Sequence, residues 1–211
     1  MIATNPAEHL SSIEVKNNAV AVRPFEPKEY EAIIAAIDKT TMTEVNKARI
    51  RACMQLQRFS GLSLVDAVCL ASDELVHEGD EFRIQRKRQE TDSPIDNLIP
   101  SWLGKELLAI KNGNSEYVFW NGTATPKGAV SSVDKLYRKV FKTSGLTAKR
   151  KCGSHDFRHT FAVGLLKKGT DVRLVSKALG HSSVQITERY YAKWCKHQQK
   201  MLDKAISAAW E

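Results

Sequence analysis

The 211-residue sequence has no uninterrupted apolar run of 18 residues, and its first thirty residues carry acids and prolines where a secretory leader would need an apolar stretch. A membrane span and an export signal are therefore not expected. Its four cysteines, Cys53, Cys69, Cys152 and Cys195, include no CxxC pair. That spacing argues against a structural zinc site or a dithiol redox site and predicts buried, reduced thiols in a cytoplasmic protein. There is no internal repeat and no low-complexity tract. What is present is one ordinary domain's worth of chain, 42% hydrophobic, with 32 Lys+Arg against 24 Asp+Glu and a net charge of +8. Such a composition is too apolar for a disordered tail.

The charge is unevenly spread. Residues 1–134 hold 15 basic and 19 acidic side chains, a balance of −4, whereas residues 135–211 hold 17 basic and 5 acidic, a balance of +12. A basic region of that size is what a polyanion-binding surface needs, because each Lys or Arg placed on a phosphate releases a condensed counterion. A solubilising surface accounts for the same numbers, so charge alone does not choose between the two.

Residues 1–22 read as an arm or linker, with sparse apolar positions and Pro6 in their midst. Beyond them Tyr30, Ile33, Ile34 and Ile37 recur at helical spacing behind Pro27, which suits a first helical turn. A second helix is predicted over 44–59, with Val45, Ala48, Ala52, Leu56 and Phe59 on one side and Gly61 as its stop. Val65, Val68 and Leu70 predict a short helical turn packed on it. Phe82-Arg83-Ile84-Gln85-Arg86 alternates apolar and polar side chains, and with Ile95, Leu98 and Ile99 it predicts a hairpin or small sheet within 75–100, joined by a basic, mobile turn. Helical spacing resumes from Trp102 to Ile110, Tyr117–Trp120 reads as a short strand or a buried segment, and further helices are expected at 129–144, 155–168, 171–180, 183–192 and 193–210. The fold class is thus mainly α with a small antiparallel β-sheet (α+β).

The chemistry concentrates between 155 and 194, in His155-Asp156-Phe157-Arg158-His159-Thr160-Phe161-Ala162, Leu179-Gly180-His181-Ser182-Ser183, and Thr187-Glu188-Arg189-Tyr190-Tyr191-Ala192-Lys193-Trp194. Positions i and i+3 share a helix face, so His155 and Arg158 can present two donors to one anionic centre. Gly180 can end a helix and open the next turn at His181, and a tyrosine ten residues on can return to the same cleft. A hydroxyl nucleophile among cationic and imidazole donors suits attack on a phosphodiester without a metal.

This ordered set resembles the catalytic domain of tyrosine recombinases, the phage integrase family, whose signature runs H-x-x-R-H-T-F-A, L-G-H-S-S and then a Tyr before A-x-W. The resemblance covers roughly residues 20–211. It implies cleavage of double-stranded DNA by Tyr191 through a 3′-phosphotyrosine, as in site-specific recombination and integration, with no cofactor and no metal. It further implies that Arg158 grips nonbridging phosphate oxygens while His155 and His181 manage protons and hydrogen bonds. Tyr190 competes for the nucleophile's role, since some relatives place the Tyr one residue closer to the His; if Tyr191 attacks, Tyr190 is a packing residue. His159 reads as a core histidine.

Two positions depart from the family pattern. In Gly61-Leu62-Ser63-Leu64-Val65-Asp66, Ser63 stands where the resemblance implies the first catalytic arginine, although the acidic partner, Asp66, is kept. Losing such a donor costs on the order of 3–4 kcal/mol of transition-state stabilisation. The hairpin lysine that would protonate the leaving oxygen aligns with Glu90, and Lys87, flanked by Arg86 and Arg88, substitutes only if the hairpin shifts register. Cleavage is accordingly expected to be impaired, and a non-catalytic DNA-binding or assembly module derived from an integrase is the other reading. The resemblance also implies a helical domain preceding this one. The expected organisation is an arm or linker over 1–22 and a catalytic domain over 23–211, the N-terminal core-binding domain being absent. In this family the C-terminal helix often docks on a neighbouring protomer, and residues 196–210, with Met201, Leu202, Ala205 and Ala209 at helical spacing, suit such self-association or packing on their own core.

Overall fold

The computed structural model describes residues 22–110, 112–195, 202–204 and 206–210. The expected arm falls almost wholly outside these residues, as do Met201 and Ala205 of the C-terminal segment.

Eight α-helices and one three-stranded sheet are found among the described residues: α1 (Pro27–Asp38), α2 (Glu44–Ser60), α3 (Leu64–Val68), β1 (Leu75–Glu78), β2 (Glu81–Lys87), β3 (Pro94–Ile99), α4 (Ser101–Ala109), α5 (Pro126–Thr143), α6 (His155–Lys167), α7 (Val172–Leu179) and α8 (Val184–Tyr191). The ends follow local chemistry. Glu26 and Glu29 close a reciprocal capping box at the start of α1, and Thr43 accepts from the Asn46 amide at the start of α2. Gly61 ends α2 at φ +74° and Gly180 ends α7 at φ +62°, left-handed conformations that glycine adopts without a Cβ penalty.

The sheet is antiparallel in the order β1-β2-β3, with Phe82 opposite Ile99, Ile84 opposite Asn97 and Arg86 opposite Ile95. Alternation puts Phe82, Ile84 and Arg86 on the buried face of β2 and leaves Gln85 and Lys87 exposed. The turn expected to be mobile is tied down. Arg88 N–H donates to the Ser93 carbonyl, Gln89 N–H to Asp66, and Thr91 Oγ1 to the Gly180 carbonyl at 3.0 Å. It is also not basic overall, since Glu90 and Asp92 offset its cations. Asn97, buried on β3, donates to the Ser60 carbonyl at 2.8 Å and to the Ala178 carbonyl at 2.7 Å, fastening the ends of α2 and α7 to the sheet.

Tyr117–Trp120 resolves as a buried segment: Tyr117 makes an isolated antiparallel bridge to Ala71, and Val118 and Phe119 are buried. One core gathers α1, α2, α4, α5 and the sheet around Ile33, Leu56, Ile84 and Phe141; a second gathers α6, α7 and Tyr191 around Ala162, Leu166 and Val175. Helix α6 joins them. Its Phe157 packs its ring against those of Phe25 and Phe141 in the first core, while Ala162, Val163 and Leu166 enter the second. All four cysteines are unpaired. Cys53 and Cys69 are buried as expected, but Cys152 and Cys195 are only half-buried, and burial pushes the Cys53 thiol up to about 12. No helix among the described residues is long and apolar enough to cross a membrane.

Candidate active site

Four elements converge on one cavity of about 320 Å³, where the β2–β3 turn, α6, α7 and α8 bring together Arg88, His155, Arg158, His181, Tyr190 and Tyr191. Arg158 is its centre. Its side chain is 1% exposed, yet its partners are carbonyls: Nη1 donates to Gly61 O at 2.6 Å and Nη2 to Leu179 O at 2.7 Å. These carbonyls end α2 and α7, so two helix C-termini, each bearing partial negative charge, face the guanidinium. Burial, and then the neighbouring Arg88, lower its pKa to about 10, which leaves it a cation at neutral pH, and no carboxylate among the described residues is ion-paired with it. A buried cation neutralised only in part is a receptor for an anion.

The imidazoles around it are neutral. His181 Nδ1 lies 2.7 Å from Thr187 Oγ1, and burial, followed by the Arg158 and Arg88 charges, lowers its pKa to about 3. His159 is lowered to about 3 by burial and by His155. His155 stands at the exposed rim, edge-on to His159 at 4.8 Å, with its pKa lowered by partial desolvation and then by Arg158.

The two tyrosines part company. Tyr191 is 1% exposed and its hydroxyl lies 2.8 Å from His159 Nδ1, whereas Tyr190 is 40% exposed. Helical periodicity explains the difference, because Tyr191 follows the fully buried Thr187 by four residues and Tyr190 points off that face. Tyr190 is therefore not the packing residue that the sequence suggests. Burial raises the Tyr191 hydroxyl to about 12, so it carries its proton at neutral pH. His159, read as a core histidine, is buried as expected but also bonded to the site's tyrosine.

At the two departing positions the structure gives physical detail. Ser63 Oγ caps α3, accepting from Asp66 N–H, and donates to Asp66 Oδ2 at 2.6 Å. Glu90 lies on the rim with Oε2 3.0 Å from Arg88 Nη2. Lys87 is outside the cavity: strand alternation turns it to the exposed face, where Nζ is 3.8 Å from Asp92. The residue that sequence reading passed over is Arg88. It lies one step past β2 on the buried alternation of Phe82, Ile84 and Arg86, and that two-residue period was the available signal.

The phage integrase family profile matches residues 23–197. This chain belongs to the phage integrase family. It is 30% identical over 198 residues to the tyrosine recombinase XerH of Helicobacter pylori, covering 87% of this chain and 51% of that protein, so it spans about half the length of this relative. The solved pre-cleavage complex of XerH with its difH substrate superposes with a TM-score of 0.65 at 26% identity, covering 79% of this chain and 50% of the other. The catalytic domain of bacteriophage HP1 integrase shares the fold almost end to end, with a TM-score of 0.59 at 16% identity over 87% of this chain and 94% of that domain. The expected fold class, mainly α with a small antiparallel sheet, is therefore observed.

Proposed function

We propose that this chain is the catalytic domain of a site-specific DNA recombinase that cleaves and rejoins double-stranded DNA through a 3′-phosphotyrosine. The observation that carries this reading is the meeting of Arg158, His155, His181 and Tyr191 in one cavity with a net deficit of negative charge. Arg158 binds nonbridging oxygens of the scissile phosphate with the donors that Gly61 and Leu179 leave free. The Tyr191 oxygen attacks phosphorus as the bond to the 5′-oxygen breaks. Its proton passes to a neutral imidazole, His159 Nδ1 being 2.8 Å away, and the departing 5′-oxygen must gain one. The reverse attack by a 5′-hydroxyl restores the diester, so phosphodiester bonds are conserved and no nucleotide is consumed.

The leaving 5′-oxygen needs a proton from a general acid. Glu90 occupies the rim and Lys87 faces away, so no lysine among the described residues lines the cavity. Without a lysine as general acid, cleavage is expected to be slowed by about 10²–10⁴-fold. A duplex library in which a bridging sulfur replaces the 5′-oxygen tests both points, because a thiolate leaves without a proton. The expected outcome is covalent adduct with the sulfur-substituted library, little with ordinary DNA, loss in Tyr191→Phe and retention in Tyr190→Phe. Duplex binding with no adduct from either library would favour the non-catalytic binding module. Leu202, Ile206 and Trp210, exposed by 52%, 40% and 80%, support self-association through the C-terminal segment, which sedimentation with and without duplex would detect.

A further inference from the structure

The cavity contains a second guanidinium in an unexpected place. Arg88 is 5% exposed and is held by Asp66, whose Oδ2 lies 3.1 Å from its Nε. Asp66 is fully buried and also accepts from Ser63 Oγ and Gln89 N–H, with Arg86 Nη2 3.7 Å from its other oxygen. It is therefore an anchor built to hold cations at this spot. Ser63 turns its hydroxyl back onto that anchor and does not reach the cavity. Arg88 reaches it, from the turn that follows β2, and lines it beside Arg158, His155 and His181.

The surrounding structure is shaped around this side chain. Gly180 has no Cβ where one would lie 2.7 Å from Arg88 Cδ, so the stem of Arg88 passes against the end of α7, one residue beyond Leu179, whose carbonyl accepts from Arg158. Thr91 fixes the same turn to the Gly180 carbonyl. Two buried guanidiniums in one cavity repel each other, and the carboxylates that pair there, buried Asp66 and rim Glu90, both pair with Arg88 and not with Arg158. A doubly coordinated oxyanion between them would relieve that repulsion, and guanidinium forks suit phosphate oxygens.

We propose that Arg88 is the second phosphate-binding arginine of this site, supplying from the β2–β3 turn the guanidinium that position 63 lacks, with Asp66 as its positioning residue. This rests on the recombinase reading for its substrate, a DNA phosphodiester, but the anion site can be tested apart from it. Inorganic phosphate is titrated into the full chain while the arginine Nε–H resonances are followed by NMR. The signals of Arg88 and Arg158 are expected to shift together with one dissociation constant. Arg88→Ala should weaken phosphate binding about 10–100-fold, as loss of a charged hydrogen-bond donor does. Ser63→Arg placed in the Arg88→Ala background should recover most of that loss by returning a guanidinium to Asp66 from the α2–α3 turn. An Arg88 resonance that stays still while Arg158 moves would overturn the proposal, and this titration needs no variant to fold. So would a folded Arg88→Ala protein that binds phosphate like the wild type. Binding to a mixed-sequence duplex is measured separately: phosphate binding through both arginines without any duplex binding would sink the recombinase reading and leave the arginine pair standing.

Discussion

At Gly180 the backbone stands at φ +62°, and a Cβ would meet Arg88 Cδ at 2.7 Å and both Arg88 Cγ and Ile95 Cγ1 at 3.0 Å. Gly180→Ala therefore combines left-handed strain of about 1–2 kcal/mol with displacement of a buried arginine stem. We expect a lower melting temperature together with weakened phosphate binding, whereas an alanine at Gly145, also at positive φ but in open space, should cost stability alone. Comparing the two by thermal unfolding and phosphate titration separates strain from site damage. The histidines make a different residue-scale prediction. His159 is 7% exposed and titrates near 3 in the fold against 6.5 in an unfolded chain, so between those values the unfolded state binds the extra proton. Stability is then greatest above pH 6.5 and falls with pH, by about 2 kcal/mol for this one group between 6.5 and 5. His159→Gln should flatten that slope in denaturant melts over the same range. An unchanged slope would mean that His159 is not held neutral by its burial against Tyr191.

The β2–β3 turn connects elements distant in sequence, and Asp66 is the link. Burial opposes its ionised form, but the bonds from Ser63 and Gln89 and the Arg86 and Arg88 charges together hold its carboxyl below the usual range. Its stabilising effect is present above pH 3.8 and is lost as pH falls through the lowered value. Removing the carboxylate in Asp66→Ala leaves Arg86 and Arg88 buried without it, at a cost of about 3–5 kcal/mol, and Asp66→Asn should lose less because the Gln89 N–H keeps an acceptor. Both variants should show faster hydrogen exchange across 88–93, and exchange no faster than wild type there would mean that Asp66 does not hold the turn. This element also marks the limit of sequence reading. Helix ends at Pro27, Gly61 and Gly180 are written locally, and so is the spacing of His155, Arg158, His181 and Tyr191, because all four fall within one run of helices. Arg88 is different. Its role depends on a carboxylate 22 residues earlier and on the strand register that carries the buried alternation past Arg86. From the sequence, Ser63 is a missing cation; in three dimensions the anchor for that cation is already filled from another element.

Across the whole molecule the charge divides as the cavity does. The +12 region supplies Arg158 and all three histidines of the cavity, while the −4 region supplies Arg88 and, through Asp66 and Glu90, the carboxylates that hold it. Outside the cavity, Lys149 and Lys151 are exposed in the connection between α5 and α6. Lys151 lines a cleft with Arg23 and with His155 and His159, which also line the cavity, so it borders the site. On the recombinase reading, a duplex whose phosphate sits at Arg158 passes over this connection, and these lysines contact its backbone without reading its sequence. Each phosphate contact contributes about 0.9 to the slope of log affinity against log salt. Lys149→Ala with Lys151→Ala should therefore lower the slope by about 2 and weaken binding to unrelated duplexes by a similar factor, leaving the melting temperature within about 1 °C of wild type because neither side chain is packed. Fluorescence anisotropy from 50 to 200 mM salt measures the slope on two unrelated sequences. An unchanged slope would place the DNA path on another face. A loss confined to one of the two sequences would mean that these lysines read bases, not backbone.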